Sequence, residues 1–285
     1  MDWTERRIEI PGLEVGVKMW GRGSEHTVMA LHGWLDNAGS FDALIPEFGE
    51  DFTVAAVDLP GHGRSDWRGA ADAYHFVDWV GVVLQVADAL GWDDFSLLGH
   101  SMGAAISALV APAADGRVDR MVFLDGLGPW SKSPDKAVEQ LGQGLAEEEL
   151  MRRRTRRRYD DIDAVLQALA DARDDVSDER LRLLVKRGAR RIDGGRWTFA
   201  HDPKLKASSR LMLTEPQVQA FLQAIECPVL LVRPRWGWPV EQAVVERRTE
   251  AIDNLEIVRV EGGHHVHLEA PERLAGDVIS FLAGD

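Results

Sequence analysis

The pentapeptide Gly99-His100-Ser101-Met102-Gly103 has the form G-x-S-x-G. The apolar run Phe95-Ser96-Leu97-Leu98 precedes it, and the small, apolar stretch 104–110 follows. That order reads as strand, tight turn, helix. A serine on such a turn lifts its hydroxyl above the sheet, where a histidine from elsewhere can reach it. The two glycines suit a strained turn with close backbone neighbours. Ser101 is therefore the candidate nucleophile. The plain alternative is a serine that caps a helix and does no chemistry.

Acyl transfer by serine needs a base for its proton and a carboxylate to orient that base. It also needs N–H donors for the oxyanion. In Glu261-Gly262-Gly263-His264-His265-Val266-His267-Leu268-Glu269, three histidines follow the last strand-like run. His264, directly after the glycines, is the candidate general base, and His265 is its rival. His267 is expected to hold the loop by a local hydrogen bond. A metal is not expected, because no cysteine or carboxylate pattern completes a site around these histidines. No cofactor is expected either.

These residues need a scaffold that carries them to one place. Thr27-Val28-Met29-Ala30-Leu31 is apolar throughout and ends at His32-Gly33-Trp34. Phe52-Thr53-Val54-Ala55-Ala56-Val57 ends at Asp58, and Arg120-Met121-Val122-Phe123-Leu124 ends at Asp125-Gly126. Such runs match strands buried on both faces of a parallel sheet. A helical pattern covers 74–90, with apolar Val80, Leu84, Ala87 and Leu90, and stops at Gly91. Alternating strands and helices imply crossovers and a mostly parallel sheet. From Gly128-Pro129 to about Thr214 the pattern changes to a polar, arginine-rich segment of helical composition. Strand runs then return at Pro228-Val229-Leu230-Leu231-Val232 and Leu255-Glu256-Ile257-Val258-Arg259-Val260. The expected domains are a core of 1–128 and 215–285, with a helical insertion at 129–214.

Bulk properties narrow the function classes. The chain has 285 residues, 45% hydrophobic and 28% charged, which suits a globular protein with a sizeable core. A net charge of −14 argues against nucleic acid and anionic membrane surfaces as partners. Neither an apolar leader nor a bilayer-length run is present, and the one cysteine, Cys227, has no internal partner. A cytoplasmic setting is expected. Six arginines at 152–158 read as a solvated helix face with local ion pairs. His201-Asp202-Pro203 reads as a turn.

Four separated motifs together carry a resemblance. His32-Gly33-Trp34, Asp58-Leu59-Pro60-Gly61-His62-Gly63-Arg64-Ser65-Asp66, the Ser101 pentapeptide and Gly263-His264 fall in the order of the α/β-hydrolase superfamily. The whole chain fits, with 129–214 in the place of a cap. More narrowly, His32-Gly33-Trp34-Leu35-Asp36-Asn37-Ala38 and Gly263-His264-His265-Val266-His267 resemble the serine hydrolase-like proteins. The resemblance implies an α/β-hydrolase fold with a mostly parallel central sheet flanked by helices. It implies oxyanion donors at the backbone N–H groups of Met102 and Trp34. The triad acid in many members follows the strand that begins here at Cys227, yet Val232-Arg233-Pro234-Arg235-Trp236-Gly237-Trp238-Pro239 holds no carboxylate before Glu241. Other members carry it one strand earlier, where this chain has Asp125. We therefore expect Asp125 as the acid, with Glu241 second. Asp58, Gly61, Gly63 and Asp66 are expected to shape their loop.

The expected function is cleavage of a small-molecule carboxylic ester through an acyl-enzyme on Ser101. A thioester or a carbon–carbon bond beside a carbonyl is open to the same parts. A non-catalytic binding protein on the same fold is the alternative from another class. His32, His100, Trp130, Trp197 and Trp236 are the candidates to line the substrate pocket. The insertion is expected to select substrates and to take no part in bond cleavage.

Overall fold

The computed structural model describes residues 2–24 and 26–284. Strands β1 (Trp3–Ile10), β2 (Leu13–Trp20), β3 (His26–Leu31) and β4 (Phe52–Val57) come first. Helix α1 (Asp78–Leu90), β5 (Phe95–His100), α2 (Met102–Ala113) and β6 (Val118–Leu124) follow. The segment after β6 forms α3 (Ala137–Arg153), α4 (Ile162–Ala170) and α5 (Asp178–Gly188), then the short strands β7 (Ala189–Arg191) and β8 (Trp197–Phe199). The chain closes with α6 (Glu215–Gln223), β9 (Val229–Trp236), α7 (Gln242–Thr249), β10 (Leu255–Gly263), α8 (Val266–Glu269) and α9 (Ala275–Ala283).

Eight strands make one sheet in the order β1-β2-β4-β3-β5-β6-β9-β10. β1 and β2 form an antiparallel hairpin at one edge, β2 runs antiparallel to β4, and the remaining pairs are parallel. The continuous apolar runs have a physical reason here. Successive side chains of a strand point to opposite faces. Met29 and Leu31 enter the core cluster that α1, α2 and α6 cover, whereas Val28 and Ala30 enter the cluster that α9 covers. Ala55 and Val57 part from Val54 and Ala56 in the same way. With both faces covered, positions 28–31 and 54–57 are apolar throughout.

The insert is not purely helical, which departs from expectation. β7 and β8 pair antiparallel across Asp193-Gly194-Gly195. Val165, Leu166, Leu181, Leu184 and Val185 give the insert a small core of its own, which closes onto Ala43 and Leu268 of the main body. Polar ties fasten the two parts. Asp58 accepts from the N–H groups of Ala38 and Arg64, both at 2.7 Å, and from Arg187 Nε of the insert at 2.7 Å. Asp202 N donates to Gly61 O at 2.8 Å, and Tyr74 Oη donates to Asp202 Oδ2 at 3.0 Å. Among the described residues, no helix is long and apolar enough to cross a membrane.

The arginine run also departs from a single helix face. Only Arg152 and Arg153 lie on α3, where they pair with Glu148 and Glu149. Arg156 lies beyond the helix, its guanidinium 3.9 Å from the Trp67 ring centre.

Candidate active site

Ser101 joins β5 to α2 with φ 52° and ψ −111°. A non-glycine residue at positive φ carries strain of roughly 1–3 kcal/mol, and such strain gathers at functional sites. Four described non-glycine residues have positive φ: Leu35, Ser101, Asp115 and Asp125. Three of them follow the carboxyl ends of the parallel strands β3, β5 and β6. Asp115 alone lies elsewhere, in the turn after α2. Ligands bind open α/β sheets at that carboxyl edge.

Asp125 Oδ2 lies 2.5 Å from His264 Nδ1 and accepts from Trp238 N–H at 2.7 Å. The Trp238 bond needs the chain to pass close by, and Gly237 permits it: a Cβ there would collide with the Asp125 carboxylate. Glu241 heads α7 with no part in this pair. Ser101 N–H donates to Leu124 O at 2.9 Å and fixes the serine beside the strand that delivers Asp125. His100 Nε2–H donates to His264 O at 3.0 Å, so the residue before the serine holds the backbone of the His264 loop. Among the described residues only the Nδ1 side of the His264 ring has a partner. No hydrogen bond joins Ser101 Oγ to His264. Nucleophile–base contacts are often long without substrate and tighten in its complex.

A family model of the alpha/beta hydrolase fold matches residues 26–271. The chain belongs to the α/β-hydrolase family. Its similarity to a probable serine hydrolase of Drosophila melanogaster is 33% identity, covering 98% of this chain and 88% of that one. A serine hydrolase-like protein of Dictyostelium discoideum is 31% identical, over 95% and 79% of the two chains. A solved hypothetical protein of Pseudomonas aeruginosa PAO1 superposes with a TM-score of 0.90 at 36% identity, covering 98% of each chain.

The residues expected at this hydrolase's pocket fall in different settings. His32 is fully buried, with Nδ1–H donating to Gly33 O at 2.7 Å and Nε2 accepting from Leu59 N–H at 3.1 Å. It ties the loop after β3 to the loop after β4. His100 is also fully buried, and burial among three other histidines holds its pKa well below the ordinary value. Trp197 sits in β8, bridged to Tyr159 and packed on the insert's own core. His32 and His100 expose no surface, and Trp197 belongs to the insert's hairpin. Trp130 is two-thirds exposed and lies 5.9 Å, ring to ring, from Trp238, which lies 5.4 Å from His264. Trp236 is exposed at the end of β9. Trp34 is half exposed, and its indole N–H donates to Leu205 O at 2.9 Å. A cavity of about 470 Å³ opens elsewhere, along Arg7, Arg64 and Arg187. Those cations are committed to Glu14, Glu5 and Asp58, and none of the residues around Ser101 lines it.

His100, His264 and His265 each offer a ring nitrogen within 4.8 Å of the others. Arg173 NH1 lies 3.1 Å from His265 Nε2, so a guanidinium already brings positive charge to that nitrogen. A metal cation would meet that charge.

A second buried constellation escaped the sequence reading. Arg173 also pairs with Asp36 by charge, without an aligned hydrogen bond. Burial alone would raise the Asp36 carboxyl, but Arg173 and His265 outweigh it and hold its pKa well below the usual range. Asp175 meets His265 Nδ1 at 3.1 Å. Burial disfavours charge on His265, yet Asp175 and Asp36 outweigh that and raise its pKa. His267 Nε2 meets Ser40 Oγ at 2.8 Å, and burial pushes its pKa down to about 3. Only His265, next to the candidate base, hinted at this network. Arg173-Asp174-Asp175 looks in sequence like a solvated turn.

Proposed function

We propose that this α/β-hydrolase is a serine hydrolase that cleaves small-molecule carboxylic esters through an acyl-enzyme. The observation that carries the reading is the 2.5 Å Asp125–His264 contact beside a strained Ser101. Ser101 Oγ attacks the carbonyl carbon while His264 Nε2 takes its proton. Asp125 holds Nδ1–H, which fixes the tautomer with Nε2 free and stabilises the imidazolium that forms. The carbonyl oxygen becomes an oxyanion held by the N–H groups of Met102 and Trp34. Met102 opens α2, and the first N–H groups of a helix have no partner within it. His264 then gives its proton to the departing alcohol. Water, activated by the same histidine, attacks the acyl-enzyme, and Ser101 recovers its proton.

The insert, taken as 129–214, acts in this reading as a cap over the site. Trp34, Trp130 and Trp238 provide apolar surface for an acyl or alcohol group. A fluorophosphonate probe tests the core of the reading. Wild-type protein should label at Ser101 and hydrolyse p-nitrophenyl esters, and folded Ser101→Ala should do neither, with a loss on the order of 10³-fold or more. Substantial turnover by that variant would overturn it. A panel of acyl lengths and thioesters then ranks the bond cleaved.

A further inference from the structure

We propose that Asp175 of the insert is a positioning residue for the catalytic base, and that it works by gripping the backbone on both sides of His264. The proposal rests on the serine-hydrolase reading above. It reverses the expectation that the insert takes no part in bond cleavage.

Asp175 brackets the base. On one side its Oδ2 accepts from His265 backbone N–H at 2.9 Å. On the other side it packs against Gly263 so closely that a side chain there would come 2.7 Å from Asp175 Cβ. His264 is thus held between two neighbours that the same aspartate touches. Its carboxylate also meets His265 Nδ1 at 3.1 Å, which fixes the ring next to the base.

Arg173, two residues earlier, extends the grip. NH1 lies 3.1 Å from His265 Nε2, and NH2 pairs with Asp36. Asp36 belongs to the turn after β3, where its N–H donates to Gly33 O at 3.1 Å. That turn carries Trp34, the proposed oxyanion donor. One short stretch of the insert therefore joins the base loop to the donor loop. Ser177 continues it, donating through N–H and Oγ to Glu269 Oε2, both at 2.9 Å.

The base loop is also held by His100 at His264 O and by Ser40 at His267, but the strand that leads into it is loose. β10 is an edge strand with a register shift between Val260 and Gly263, so the ladder loosens just where His264 begins. A base displaced by about 1 Å can cost roughly a hundredfold in rate.

The test compares wild type, Asp175→Ala and Asp175→Asn with p-nitrophenyl acetate and a small fluorophosphonate. Both are too small to report on acyl selection by the insert. Asn keeps an oxygen acceptor for His265 N–H and nearly the same volume, so it serves where the alanine variant folds poorly. We expect Asp175→Ala to lower kcat about 10- to 100-fold with KM within about twofold. Labelling of Ser101 should slow by the same factor. Asp175→Asn should recover to within about threefold of wild type. Labelling of Asp175→Ala within twofold of wild type would overturn the proposal, as would a loss confined to KM or an asparagine variant as slow as the alanine one. Wild-type protein that fails to label at Ser101 would overturn the serine-hydrolase reading and this proposal together, which separates the two failures.

Discussion

His264 and His265 are neighbours in the chain, and each ring meets an aspartate through Nδ1, yet the two pairs are built for different work. Asp125 comes from the end of β6, inside the sheet, and its other bond is to a backbone N–H. Asp175 comes from the insert, and its partner His265 is engaged on both ring nitrogens. Among the described residues His264 has a partner on one ring nitrogen only, which leaves the other for a reacting hydroxyl. A general base must exchange a proton on each cycle, so one nitrogen has to stay unengaged. A ring that holds two loops together needs both. The difference teaches that the histidine count of a loop says little about catalysis. A free nitrogen on a partly exposed ring says more: His100 and His267 also leave Nδ1 without a hydrogen-bond partner among the described residues, but both rings are fully buried.

The largest effects should fall on the first pair. Asp125→Asn should leave the protein folded and slow acylation by as much as about 10⁴-fold, because the amide favours the wrong His264 tautomer. His264→Ala should be at least as severe, and Glu241→Gln should stay within about twofold. His265→Ala should keep labelling within about a hundredfold, since it loosens the loop without removing the base. Rates measured on the four variants decide between the pairs. If His265→Ala were the more damaging, the base would move by one residue.

Much of this site was legible in the residues themselves. Fully apolar runs announce doubly covered strands, and the residues that end those runs land on one edge of the sheet. That is why Ser101, His264 and Asp125 could be named together. Legibility failed where a side chain's partners are backbone groups or distant charges. His32 and His100 look like pocket residues because histidines beside glycine motifs often are, but His32 spends both ring nitrogens on backbone and fully buried His100 spends Nε2 on His264 O. Asp36 and Arg173 stand 137 positions apart in the numbering, and each alone looks like a solvated charge. The hairpin of β7 and β8 escaped for another reason: three residues per strand leave no periodicity to read.

His265 also stands apart in how it titrates. Burial lowers the pKa of His32, His62, His100, His201 and His267, the last two to about 3. Only His265 among the buried rings is raised, by Asp175 and Asp36 against burial. The signs are opposite. For the lowered group, the unfolded chain binds protons below about pH 6.5 while the folded one resists. Their contribution is lost as pH falls below that value, at up to about 1.4 kcal/mol per pH unit for each ring. The His265 contribution is fully present below about pH 6.5 and is lost as pH rises through its folded value. Five rings against one predict a thermal midpoint that drops steadily from pH 7 to pH 4.5. A midpoint unchanged across that range would contradict the burial of these rings as neutral groups. Asp175→Ala removes the largest of the favourable partners of His265, so its deficit in midpoint should be greater at pH 6 than at pH 9.

The smallest expected effect separates the part of the insert that grips the base from the aromatic surface near it. Trp130 is exposed and lies beside Trp238, which in turn lies beside His264. Trp197 packs on the insert's own core. Truncating an exposed wall should alter how well a longer acyl chain is held and leave the proton transfers untouched. A methylene in an apolar pocket is worth about 1–3 kcal/mol at most, and a partly solvated wall is worth less. Trp130→Ala should therefore shift the ratio of kcat/KM for p-nitrophenyl octanoate over acetate by about three- to tenfold, with fluorophosphonate labelling unchanged. Trp197→Ala should leave that ratio alone and lower the thermal midpoint instead, because it removes a packed aromatic from the insert. The reverse pattern would mean that the acyl group runs along the insert's hairpin rather than past Trp130. Slower labelling in folded Trp130→Ala would give that wall a share in holding the base, a role that falls to Asp125, His100 and the Asp175 stretch in the reading above.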